Sequence, residues 1–117
     1  MNIDVTEFYQ ALSNESRLRC LVLLQMQGEL CVCELTHALK LSQPMISRHL
    51  ALLRESELVL DRRFGQWIYY QINTALPDWV HTVLQTTAQA NATKAPFAAD
   101  LKVLNKMPNR PSTGCCT

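Results

Sequence analysis

The chain has 117 residues, the size of one ordinary domain, and its 48% hydrophobic content is enough to build a core. It holds no run of about 18 apolar residues, so no membrane span is expected. Its polar, acidic start lacks the charged-then-apolar layout of a secretory signal, so a cytoplasmic protein is expected. The net charge of +1 neither suggests nor excludes a nucleic-acid partner. Charge is unevenly spread: Asp4, Glu7, Glu15 and Glu29 lie early, and Lys94, Lys102, Lys106 and Arg110 lie late. Arg48, Arg54, Arg62 and Arg63 fall close together in the middle. Five cysteines with no secretion signal argue against a disulfide framework and for reduced thiols, which bind soft metals and metalloids.

Val5 to Leu12 reads as a short first helix. Asn14 is a good N-cap for a second helix to about Gln27, with Leu18, Leu21, Val22 and Leu24 at helical spacing and Gly28 as its stop. An extended segment over Leu30 to Val32 leads into a helix from about Cys33 to Leu39. After a tight connection, Ser42 caps a fourth helix to about Ser56 and Pro44 is tolerated in its first turn. Ile46, Leu50 and Leu53 mark its buried side. Leu58 to Arg63 and Trp67 to Ile72 are strand-like, with Phe64, Gly65 and Gln66 as a hairpin tip. Two helices joined by three residues and followed at once by a hairpin make a winged helix-turn-helix. The fold class is therefore mainly α with a small β-hairpin. Pro77 opens a helix from Asp78 to Ala90, and Pro96 to Met107 forms another. Residues 108–117 read as a mobile tail. Residues 1–92 are expected to form the DNA-binding and dimerisation domain, and 93–117 a C-terminal helix and cysteine-containing tail.

The runs Ala11-Leu-Ser-Asn-Glu-Ser-Arg-Leu-Arg19, Glu29-Leu-Cys-Val-Cys-Glu-Leu35 and Ser42-Gln-Pro-Met-Ile-Ser-Arg-His-Leu-Ala-Leu-Leu-Arg54 occur in order. Together they resemble the ArsR/SmtB family of metal-sensing repressors, and Cys-Val-Cys-Glu-Leu resembles its arsenic-sensing branch. The resemblance implies a homodimer on palindromic double-stranded operator DNA, released when trivalent arsenic fills the sensor site. It implies no enzyme. The branch often has a third cysteine three positions after the second, where this chain has Thr36.

Trivalent arsenic takes up to three sulfur ligands. Cys31 and Cys33 supply two; Cys115 or Cys116, or a small thiol, would supply a third. A methylated arsenical needs only two. Side chains two apart share one side of an extended chain but stand about 200° apart on a helix, so chelation favours an extended or distorted helix start. Cys20 reads as a buried core thiol. His37 reads as solvent-facing or capping, and a zinc site is disfavoured because Cys31, Cys33 and His37 give three ligands at most.

For DNA, the early residues of the fourth helix are expected in the major groove. Gln43 and Arg48 suit base edges, with His49 nearby, and Ser42 and Ser47 suit phosphate. Arg62, Arg63 and Gln66 on the wing suit backbone or minor groove, whereas Arg54 is expected to pair with an acidic neighbour. Trp79, Val80, Val83 and Leu84 are expected to form the dimer seam with Phe8 and Leu12. A thiol redox enzyme and a winged helix that binds only protein are the competing classes. Within the sensor class, antimonite, bismuth, cadmium or a redox change are alternative signals.

Overall fold

A computed structural model describes residues 1–111. Helix α1 (Val5–Leu12) starts where Asp4 accepts the Glu7 N–H at 2.8 Å, and α2 (Glu15–Gln27) where Asn14 accepts the Arg17 N–H at 3.0 Å. Each cap satisfies a backbone donor that the helix itself leaves unpaired. Gly28, at φ 92°, ends α2 in a conformation that side-chain-bearing residues rarely adopt. Five consecutive residues of α2, Cys20 to Leu24, are buried. The helix is thus covered on more than the single stripe that its spacing suggested, which makes it the central helix of the domain.

The segment after Gly28 is strand β1 (Glu29–Cys31), followed by α3 (Val32–Leu39) and α4 (Gln43–Glu55). Ser42 accepts the Met45 N–H at 3.3 Å and starts α4, with Pro44 in the first turn. Strands β2 (Val59–Phe64) and β3 (Trp67–Ile72) are joined at Gly65 and Gln66, since Phe64 pairs with Trp67. Gly65 takes the positive φ, 62°, that so short a hairpin turn requires. The sheet has three antiparallel strands in the order β1-β3-β2, not the two of the expected hairpin. β1 pairs Glu29 with Gln71, Leu30 with Tyr70 and Cys31 with Tyr69, so the wing is fastened at its base to the strand that leads into α3.

Leu21, Leu35, Ile46, Leu50, Leu53 and Leu58 have no exposed surface and hold the helix-turn-helix onto α2 and the sheet. Truncating any one of them to alanine is expected to cost about 2–5 kcal/mol. Helix α5 (Asp78–Asn91) packs on α2, and α6 (Phe97–Asn105) packs across α2 and α3. The guanidinium of Arg19 grips the Asp100 carboxylate at 2.6 and 2.9 Å and the Leu39 carbonyl at 3.1 Å, tying these three helices together.

Two expectations are corrected. Phe8, Val80 and Leu84 are buried within the chain itself, so they are core and not seam. Phe8 meets Trp79 edge to face at 5.3 Å; the large exposed apolar side chains on these two helices are Val5, Tyr9 and Trp79. The segment after α6 is not wholly a free tail either. Arg110 Nε lies 2.7 Å from the Glu34 carboxylate and Pro111 is buried, because a carboxylate enclosed in the fold draws a counter-charge to it. No helix among the described residues is long and apolar enough to cross a membrane.

Candidate thiol site and nucleic-acid interface

Cys31 ends β1 with extended dihedrals (φ −76°, ψ 153°) and is the N-cap of α3; Cys33 is already helical. The helix begins at Val32, one residue earlier than expected. Cys31, still extended ahead of that start, has its Sγ 3.3 Å from Cys33 Sγ. Two sulfurs bonded at about 2.3 Å to one centre, the length found for zinc, stand about 3.3 Å apart at a near-right angle. A shared ligand therefore needs no distortion of the helix start. Burial, and then the hydrogen bond to Cys31, push the Cys33 thiol up to about 12.

Glu34 fixes this geometry. It has no exposed surface, accepts the Cys31 N–H at 2.8 Å through Oε1, and meets Arg110 through Oε2. Its own N–H faces the Cys31 sulfur, completing a capping box. Neither Glu34 nor Arg110 stands out as a site residue from the sequence pattern. The three-residue spacing from Cys31 to Glu34 was a usable signal; nothing local marks Arg110.

Cys31, Cys33 and Thr36 line a groove of about 740 Å³. Gln43 and Ser47 of α4 form another part of its wall, as do Gln66 and Trp67 of the wing. The thiol pair and three of the expected DNA-reading residues thus share one concavity. Gln43, Arg48, Arg63 and Gln66 are exposed, and Ser47 is half-buried. Ser42 is exposed but spends its hydroxyl on the α4 cap. Arg62 is gripped by Glu29 through two hydrogen bonds of 2.7 Å and lies 4.6 Å over the Tyr69 ring. His49 is half-buried, and its Nδ1 has no hydrogen-bond partner among the described residues. Burial, then the charges of Arg17 and Arg48, hold its pKa below the ordinary histidine value. Arg54 pairs with Asp61 at 3.0 Å.

Cys20 has no exposed surface, and burial pushes its thiol up to about 12, as suits a core residue. His37 is exposed and His81 half-buried. Among the described residues, no three His, Cys, Asp or Glu side chains are grouped to hold a metal ion. Cys115 and Cys116 lie outside the described residues.

Residues 14–60 match the model of the bacterial regulatory protein arsR family. The chain is 51% identical over 115 residues to the arsenic resistance transcriptional regulator ArsR2 of Pseudomonas putida, covering 97% of this chain and 99% of that one. Among solved structures, it resembles HlyU from Vibrio cholerae with a TM-score of 0.66 and 32% identity, covering 74% of this chain and 90% of that one. It also resembles Mb0332 from Mycobacterium bovis, described as a homodimeric winged helix-turn-helix DNA-binding domain. There the TM-score is 0.63 and the identity 29%, covering 76% of this chain and 79% of that one. With its winged helix-turn-helix and near full-length relative, the chain belongs to the ArsR family of bacterial transcriptional regulators.

Proposed function

We propose that the protein is an arsenic-responsive transcriptional repressor. It binds double-stranded operator DNA as a homodimer and lets go when trivalent arsenic bonds to Cys31 and Cys33. The observation that carries the reading is the 3.3 Å approach of these two sulfurs beside a groove that Gln43 and Ser47 also line. The arsenic-resistance role of the Pseudomonas putida relative supports the choice of inducer. Gln43, Ser47 and Arg48 read the major groove, with Ser42 and His49 beside them. Arg62, Arg63 and Gln66 engage the backbone from the wing. Val5, Tyr9 and Trp79 meet their counterparts in the second subunit. In the reducing cytoplasm the thiols stay free for the metalloid.

Arsenite has three positions to fill and this segment offers two thiols. Cys115 or Cys116 supplies the third. Cys115 lies five residues beyond Arg110, a reach of at most about 18 Å, and Arg110 is itself held on the carboxylate that caps Cys31. In this reading residues 1–92 bind DNA and dimerise, while residues 93–117 brace α3 and deliver the extra thiol.

The test is fluorescence anisotropy on a labelled duplex, selected by the protein from a randomised pool and titrated with arsenite, antimonite, zinc and cadmium. Arsenite is expected to release wild-type protein. The Cys31→Ser, Cys33→Ser variant is expected to bind DNA normally and to stay bound. Release of that variant by arsenite overturns the assignment.

A further inference from the structure

The groove beside the thiols is larger and more apolar than arsenite requires. Its volume of about 740 Å³ falls in the range of pockets for organic molecules. Val32, Ala51, Trp67, Ile68 and Met107 line it, drawn from α3, α4, β3 and the turn after α6. Trp67, Ile68 and Met107 are only half-buried, so apolar surface is left open to whatever enters. Among the described residues that line the groove, the thiols number two. Thr36, one helical turn beyond Cys33, has its hydroxyl committed to the Val32 carbonyl at 2.9 Å.

We infer that this groove is a subsite for the carbon substituent of a singly substituted trivalent arsenical, with an aryl group as its best occupant. The inference rests on the sensor reading above. An aryl-arsenous acid carries one carbon and two hydroxyls on arsenic. Both As–O bonds break and two As–S bonds form, to Cys31 and Cys33. The thiol protons leave with the hydroxides as two waters, and arsenic stays trivalent throughout. No third thiol is consumed, so the carbon substituent takes the remaining direction, toward Ala51, Trp67 and Ile68. Burial of a flat ring there adds hydrophobic affinity that arsenite cannot gain. It also places the ring beside Gln43, Ser47 and Gln66, where bound DNA would lie, so ring and operator compete for one space.

The experiment compares release of the labelled operator by arsenite, methylarsenous acid and phenylarsenous acid. For wild type, phenylarsenous acid is expected to act at a concentration at least about tenfold lower than methylarsenous acid, since even partial burial of the added ring carbons suffices for that. Ala51→Leu fills the groove from α4, and Met107→Trp fills it from the opposite wall should the first variant fail to fold. Either is expected to erase the aryl preference while the arsenite response stays. Equal response to the two organic compounds, or an aryl preference that survives in a filled groove, overturns the subsite alone. Failure of all three compounds to release wild type overturns the sensor reading and the subsite with it.

Discussion

Arg62 on the wing is clasped by Glu29 through two hydrogen bonds of 2.7 Å, and Glu29 lies two residues before Cys31 on the edge strand. The clasp is exposed, so it adds little to stability. Its effect is on charge. A cation suited to meet phosphate is already neutralised by a carboxylate, and the carboxylate would itself repel DNA. Glu29→Gln is therefore expected to strengthen operator binding. It should also steepen the fall of log affinity with log salt by about one, the slope of one further phosphate contact. Anisotropy titrations across a salt series measure both. An unchanged slope would remove Arg62 from the DNA interface.

Glu34 and Arg110 form the opposite case, a pair almost closed to solvent. Arg110→Met takes the cation from an enclosed carboxylate and is expected to cost on the order of 3–5 kcal/mol in urea unfolding. Adding Glu34→Gln to the same chain removes the charge but keeps an oxygen for the Cys31 N–H. Most of the lost stability should then return. If the double variant is no more stable than Arg110→Met, the cost lies in lost packing of the segment around Pro111 and not in charge.

What could be read in advance follows from how local each signal is. Asn14 and Ser42 mark helix starts because capping involves residues two or three apart, and both observed caps fall there. In the sequence β1 shows only as an extended segment, since three residues carry little pattern and their partner, β3, lies some forty residues away. The start of α3 falls one residue from where the pattern puts it, a difference finer than periodicity resolves. The sequence places Arg110 in a mobile tail, because its partner Glu34 becomes a demanding neighbour only once the fold has buried it.

Thr36 offers a gain-of-function test of the ligand count. It lies three residues after Cys33, on the same face of α3 and in the same groove. In a Cys115→Ser, Cys116→Ser background the arsenite response is expected to weaken, because the third thiolate is gone. Adding Thr36→Cys should restore it, lowering the arsenite needed for half-release by about tenfold or more, as a third tethered donor does. The same change should leave phenylarsenous acid little affected, since that compound fills only two sulfur positions. A restored thiol with no gain toward arsenite would mean that the tail supplies more than a ligand.

His49 supplies a pH test that does not touch the thiols. Burial, with Arg17 and Arg48 close by, depresses its pKa in the fold, while the unfolded chain titrates near 6.5. Between the two values the unfolded chain binds more protons, so stability rises with pH across that window. The stabilisation is complete above about pH 6.5 and is lost as pH falls through the depressed folded value. His49→Gln, which cannot gain the charge, is expected to flatten this loss when urea midpoints at about pH 7.5 and about pH 5.5 are compared. Added salt should narrow the wild-type difference by screening Arg17 and Arg48, but not remove it, because burial is the larger cause. Identical pH profiles for wild type and His49→Gln would place the acid sensitivity elsewhere in the chain.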